Sequence, residues 1–198
     1  PGGGKTGLLQ KLNIHGDVIW EFRDEMLHHD FDVDLDSDTV YAIKFTPVRK
    51  SFSDRIKGGN ATKSENYWSD TIIQIDKFSN IVWSRELQNN LKPEDYILDT
   101  VTPRTEWSHS NSIKFYKTNP INNKPALLLS AKHLNAIFLI DRETGKVIWE
   151  SPKGIFSYQH DATLTSSGTV LIFDNGTARK QDRQFMWSRV LEIDIRTN

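Results

Sequence analysis

The feature that most limits what this chain can fold into is a recurring unit: strand, tight polar turn, strand closed by a tryptophan. Residues 9–20, 73–83 and 138–149 each read this way, ending at Trp20, Trp83 and Trp149, and residues 190–198 begin a fourth unit. Apolar and β-branched residues flank a short polar stretch in each, the local pattern of a β-hairpin. Gly16, Asn80 and Gly145 fall where such a turn takes positive φ, and Asp76, Asp141 and Asp194 stand where the turns start. Further strand pairs lie between the hairpins: 30–35 with 39–45, 111–116 with 126–130, and 161–165 with 169–174. No segment keeps a helical period over three turns. A short helix is expected within residues 86–97, with Pro93 in its first turn.

Four strands per repeat, repeated in tandem, predict an all-β fold: a β-propeller of four-stranded antiparallel blades. A β-sandwich is the plainer alternative. The 198 residues hold a little over three blades, and closed rings take roughly four to eight. The expectation is therefore a single domain over residues 1–198, a partial propeller truncated at both ends. Open sheet edges of that kind also allow copies of the chain to associate as a homo-oligomer. The tryptophans read as blade packing.

Charge narrows the partners. There are 25 Lys and Arg against 26 Asp and Glu, a net charge of −1. With no basic stripe, nucleic acid is not expected as a partner. No apolar run is long enough for a membrane-spanning helix. The absence of cysteine excludes thiol catalysis, disulfides and thiolate metal sites.

The chemistry-bearing residues are histidines at one point of the repeat. His29, His109 and His160 each open the first strand of a unit. If those first strands line a common axis, equal register brings three imidazoles together. Lys132 and His133 end the second strand of their unit on the same face, and the long loops 46–69, 85–108 and 175–188 emerge there too. Long loops on a rigid scaffold are where binding resides. The expectation is a cationic, imidazole-rich mouth suited to a small anion. His28 and His29 are neighbours, so in a regular strand they point to opposite sides, and His29 is favoured because it precedes an Asp as His160 does. His15 reads as an exposed turn residue, and the alternating Asp32, Asp34, Asp36 and Asp38 as a solvent-facing edge. Clustered histidines also suit zinc or copper, but an Asp after the His points away in a regular strand, and neither a metal nor a cofactor is assigned. Gly4-Lys5-Thr6 matches the end of a phosphate-binding loop, yet a hairpin rather than a helix follows it.

The stretches Trp107-Ser-His-Ser-Asn-Ser-Ile113, Leu129-Ser-Ala-Lys-His-Leu-Asn-Ala-Ile137, Gln159-His-Asp-Ala162, Ile172-Phe-Asp-Asn-Gly176 and His28-His29-Asp30-Phe31 resemble, in this set, the bacterial aryl-sulfate sulfotransferase family. The resemblance covers most of the chain from Leu9 onward. It implies a six-bladed propeller that moves a sulfuryl group from an aryl sulfate to a phenol, without a nucleotide donor, in the periplasm or outside the cell. It implies that His160 is the residue transiently sulfated, with His109, His29 and Lys132 as catalytic support. Lys132 stands where the family carries arginine, keeping the charge but not the bidentate fork. His28, Asn111 and His133 are the expected substrate-binding residues. The competing reading is a non-catalytic propeller that scaffolds protein partners, which would not need imidazoles in register. A quinone-dependent dehydrogenase is a third reading, and the adjacent cysteines often found beside that cofactor cannot occur here.

Overall fold

The structure, a computed structural model, describes residues 7–60, 66–179 and 187–196. Gly4, Lys5 and Thr6 fall outside them, as does half of the 175–188 loop. The fold is all-β, and its antiparallel sheets follow one another in chain order. β1 (Leu8–Leu12) and β2 (Val18–Arg23) form a hairpin. β3 (Leu27–Asp34), β4 (Thr39–Pro47), β6 (Trp68–Ile75) and β7 (Ile81–Glu86) form a four-stranded sheet in that order. β9 (Ser110–Tyr116), β10 (Ala126–Ala131), β11 (Ala136–Asp141) and β12 (Val147–Glu150) form a second. β13 (His160–Leu164), β14 (Thr169–Asp174) and β15 (Arg189–Asp194) form a three-stranded third. None of these sheets closes on itself.

The sheets pack face to face, and the strand period of two explains how. On β10, Leu127 and Leu129 turn toward Ile43 and Ile72 of the preceding sheet, while Ala126 and Leu128 turn toward Val170 and Ile172 of the following one. With both faces covered, the run Ala-Leu-Leu-Leu is apolar throughout. The first hairpin covers the outer face of the first sheet, where Phe22 meets Ala42 and Ile73. The hairpin-closing tryptophans do pack: Trp149 is buried between the second and third sheets, and Trp83 and Trp20 lie against the two cores nearer the start of the chain.

The first strands of these three sheets, β3, β9 and β13, are edge strands that lie against one another, the inner strands of the stack. Side chains of one inner strand accept hydrogen bonds from the unpaired backbone of the next. Asp30 and Asp32 accept from the N–H groups of Ile113 and Phe115, at 2.9 and 2.7 Å. Ser112 and the Tyr116 hydroxyl accept from Ala162 and Leu164, at 3.2 and 2.7 Å. Asp32 therefore does not face solvent as its alternation suggested; its carboxylate satisfies a neighbouring strand.

The turns follow their residues closely. Asp76 Oδ1 accepts from the N–H groups of Phe78 and Asn80, Asp141 Oδ1 from Thr144, and Asp194 Oδ1 from Arg196. Gly16 and Gly145 take positive φ as expected; in the second turn the left-handed residue is Ser79, not Asn80. His15 is exposed.

Two of the long loops fold on each other. The first carries α1 (Lys50–Ser53) and β5 (Lys57–Asn60); the second carries two 3-10 turns, Leu87–Asn89 and Pro93–Asp95, in place of one helix, and then β8 (Ile97–Pro103). β5 and β8 pair in parallel. Gly58 permits this, because at φ 70° a Cβ would run into the Leu98 backbone. Trp107 anchors the assembly: it is fully buried, edge-on to Phe52 at 4.9 Å and to Tyr96 at 5.9 Å. Replacing it with Ala should cost about 3–5 kcal/mol, read as a fall in the urea midpoint with the loop pair released to proteolysis first.

Candidate functional site

The site is built at the start of the three inner strands, where the backbone departs from regular pleating. The β3–β4 register slips between His28 and Phe31, and the β13–β14 register slips between His160 and Thr163. His29, His109 and Asp161 all have positive φ, at 56°, 43° and 49°. Bulges re-aim side chains, and the first consequence corrects the sequence reading. His28 and His29 do not point to opposite sides: their Nδ1 atoms lie 2.8 Å apart, with the rings edge to face.

From there the imidazoles form a chain. The His29 ring lies edge-on to His109 at 4.6 Å, and His109 stacks on His133 at 4.3 Å, with 25° between the planes. His133 in turn leans on Tyr158, whose ring sits under the Lys132 ammonium at 5.3 Å. Four of the six residues expected around His160, namely His28, His29, His109 and His133, are thus linked ring to ring. Lys132 and His133 do not end a strand; they form a 3-10 turn directly after β10, held where the N–H groups of Lys132 and His133 donate to the His109 and Ser108 carbonyls.

His160 opens β13 beside this chain, half-buried, with no ring stacked on it among the described contacts. Its Nδ1 lies 3.0 Å from the Tyr158 carbonyl and 3.1 Å from the Asn175 amide. A carbonyl only accepts and an amide nitrogen only donates, so Nδ1 can serve one of these two contacts at a time; when it donates to Tyr158, Nε2 keeps the lone pair. Asn111 acts here as a tie: its amide donates to the Gln159 carbonyl at 2.8 Å, fixing the residue before His160. Gln159 is itself fully buried, and its amide donates to the Ala131 and Ala136 carbonyls.

Two carboxylates stand behind the imidazoles, and neither was singled out from the sequence. Asp70, wholly buried on β6, lies 3.2 Å from His28 Nε2 and accepts from the Ser110 backbone N–H at 2.5 Å. Burial alone would raise its carboxyl; His28 and Ser110 outweigh that and hold it down to about 2. Glu106, also buried, places Oε2 2.6 Å from His109 Nδ1, while its backbone carbonyl accepts from His133 Nδ1 at 2.6 Å. Asp70 sits in the polar start of an otherwise apolar strand, Trp68-Ser-Asp-Thr, and Glu106 three residues before His109. Those were the only signals available.

The rings differ in their hold on a proton. Burial, with help from His109, pushes His133 down to about 3. His29 opens to solvent at the mouth, yet the partial burial of its ring and the charges of His109 and His28 push it down to about 4. Burial lowers His160 and Lys132 as well, Glu106 partly opposing it at Lys132. The site therefore sets three rings that resist protonation, His29, His133 and His160, beside one weakened ammonium, with the ionised Asp70 against His28 and the Glu106 carboxyl group against His109. Among the described residues, no three or more histidines and carboxylates are grouped as metal ligands would be.

A family model described as "Arylsulfotransferase (ASST)" matches residues 3–198. The chain belongs to the arylsulfotransferase family. No curated protein matches this arylsulfotransferase-family chain. Among solved structures it is similar to a protein of unknown function from Bacteroides caccae, at 8% identity and a TM-score of 0.31, over 97% of this chain and 88% of that one.

The neutral state of His133 has a measurable consequence. Its folded-state value lies below the unfolded one, so on acidification the unfolded chain takes up the proton first and stability falls as pH drops below about 6.5. Between pH 6.5 and 5 that amounts to about 2 kcal/mol for this ring. Urea unfolding at the two pH values should show the loss, and His133→Gln should flatten the slope.

Proposed function

We propose that this chain is the sulfuryl-transferring part of an arylsulfotransferase, moving the group from an aryl sulfate to a phenol through a sulfated His160. The observation that carries the reading is the convergence of His29, His109 and His133 in one ring chain beside His160 and Lys132. Family membership agrees with it. The face-to-face stacking of successive sheets, with their first strands innermost, supports a propeller with those strands at its axis. A scaffold for protein partners would gain nothing from packing imidazoles against each other.

In this mechanism the lone pair on His160 Nε2 attacks sulfur in line with the ester oxygen. The nitrogen–sulfur bond forms, the sulfur–oxygen bond breaks, and its electron pair leaves on the phenol oxygen. Burial helps by keeping His160 unprotonated. The Lys132 ammonium faces the negative charge on the sulfuryl oxygens, and its poor hydration there strengthens the interaction. Sulfuryl transfer resembles phosphoryl transfer in that positioning and charge stabilisation do most of the work. A phenol then enters, its oxygen takes the sulfuryl group, and the pair returns to Nε2. No cofactor takes part in these steps.

Release of p-nitrophenol from p-nitrophenyl sulfate, stimulated by added phenol, tests the reading. His160→Asn should abolish it, and near-normal turnover in that variant would remove His160 from the nucleophile role. Because burial lowers the His160 value, the acid limb of kcat/KM for the donor should fall below the ordinary histidine value of about 6.5. A limb centred above 6.5 would contradict it.

A further inference from the structure

We propose that Glu106 is a positioning residue that makes His109 the group exchanging the proton with the phenol oxygen. The proposal rests on the sulfuryl-transfer reading above. Two imidazoles of the ring chain are candidates for that task, His29 and His109, and their surroundings separate them: His109 is also the one whose charge reaches His160. His29 Nδ1 is engaged by another imidazole, His28. His109 Nδ1 is engaged by a carboxylate at 2.6 Å, and both partners are largely buried, with side-chain exposures of 11% and 8%. A carboxylate only accepts. It therefore fixes the proton on Nδ1, leaves Nε2 to exchange a proton with substrate, and balances the charge that appears when the ring holds two. The same logic governs an aspartate behind a catalytic histidine.

The segment is held so that the pair cannot drift. The N–H of Trp107 donates to the Trp68 carbonyl at 2.9 Å, the Glu106 carbonyl is taken by His133, and His109 itself is fixed at positive φ. Among the described residues the His109 ring meets His29 from β3, His133 from the turn after β10 and Glu106, with Lys132 and His160 nearby and Asp70 bonded to the N–H of the next residue, Ser110. Of the groups touching the ring Glu106 is the carboxylate, the one that favours a cation there; burial keeps His29 and His133 unprotonated.

The proton follows the electrons. In the first half-reaction His109 holds protons on both nitrogens, and the Nε2 proton passes to the departing phenol oxygen as the sulfur–oxygen bond breaks. In the second, Nε2 takes the proton of the incoming phenol as its oxygen bonds sulfur and the nitrogen–sulfur bond to His160 breaks.

Two measurements test this. Imidazole nitrogen chemical shifts of the full chain, taken at alkaline pH where the ring is neutral, should show His109 as the Nδ1–H form. In Glu106→Gln the signal should move toward the Nε2–H form, and an unchanged signal would overturn the assignment. The second measurement is kcat/KM across aryl sulfates of graded leaving-group acidity. Glu106→Gln should lose about a hundredfold with the least acidic phenols and only a few-fold with p-nitrophenyl sulfate, because a good leaving group needs no proton. His109→Gln should give the same steepened dependence, which keeps the test available if the Glu106 variant does not fold. An equal loss across all donors would mean a structural role only. If the His160 variant is inactive and these losses are uniform, the role of Glu106 fails alone. If His160→Asn retains turnover, the sulfuryl-transfer reading fails with it.

Discussion

The arrangement of this molecule depends on how unpaired strand edges are satisfied where the sheets meet. Each inner strand offers backbone N–H groups that no partner strand can take. A buried donor left alone costs about 1–3 kcal/mol, so the contact between sheets must supply acceptors. Asp30 and Asp32 do so toward β9, and Ser112 and Tyr116 do so toward β13. These bonds do more than satisfy donors. Apolar faces slide easily on each other, whereas a side-chain oxygen aimed at a given N–H fixes the offset between two strands. That offset is what brings residues 29, 109 and 160, far apart in sequence, to the same end of the stack.

The site that results uses a few ionised groups against many neutral ones. Burial discourages protonation of His29, His133 and His160, and two carboxyl groups are each set behind another imidazole, Asp70 behind His28 and Glu106 behind His109. Asp70 is held by a backbone N–H as well as by His28, and Glu106 sits in a segment clamped from two sides. Lys132 is the exception, an ammonium lying over the Tyr158 ring and weakened by burial, which Glu106 opposes. An anion entering this mouth would meet a cation poorly solvated by water, and the attraction would be correspondingly strong.

Much of this was legible in the chain. The hairpins could be read because turn chemistry and the period of two are local properties, and Asp76 and Asp141 behave in their turns as their positions suggest. The inner-strand histidines were legible because they recur at one register. What escaped notice depends on long-range contact. Lys57-Gly-Gly-Asn has no strand pattern; it becomes a strand only because Ile97–Pro103 runs beside it. The pairing of His28 with His29 does not show in the sequence, because a bulge leaves no mark in an alternation that assumes regular pleating. Asp70 and Glu106 look like ordinary polar residues until folding removes water from around them. The tie that Asn111 makes to the Gln159 carbonyl is of the same kind, since the two residues lie 48 positions apart along the chain.

The left-handed backbone at His29 and His109 has a further bearing. That region of conformational space is open to glycine and to short or planar polar residues such as Asn, Asp and His, and strongly resisted by side chains branched at Cβ. The curvature that aims these rings inward therefore also restricts which residues evolution or a designer can try at the same points. New specificity in this mouth has to come from the surrounding turns and from the residue behind each ring, because the ring positions themselves admit a very small alphabet.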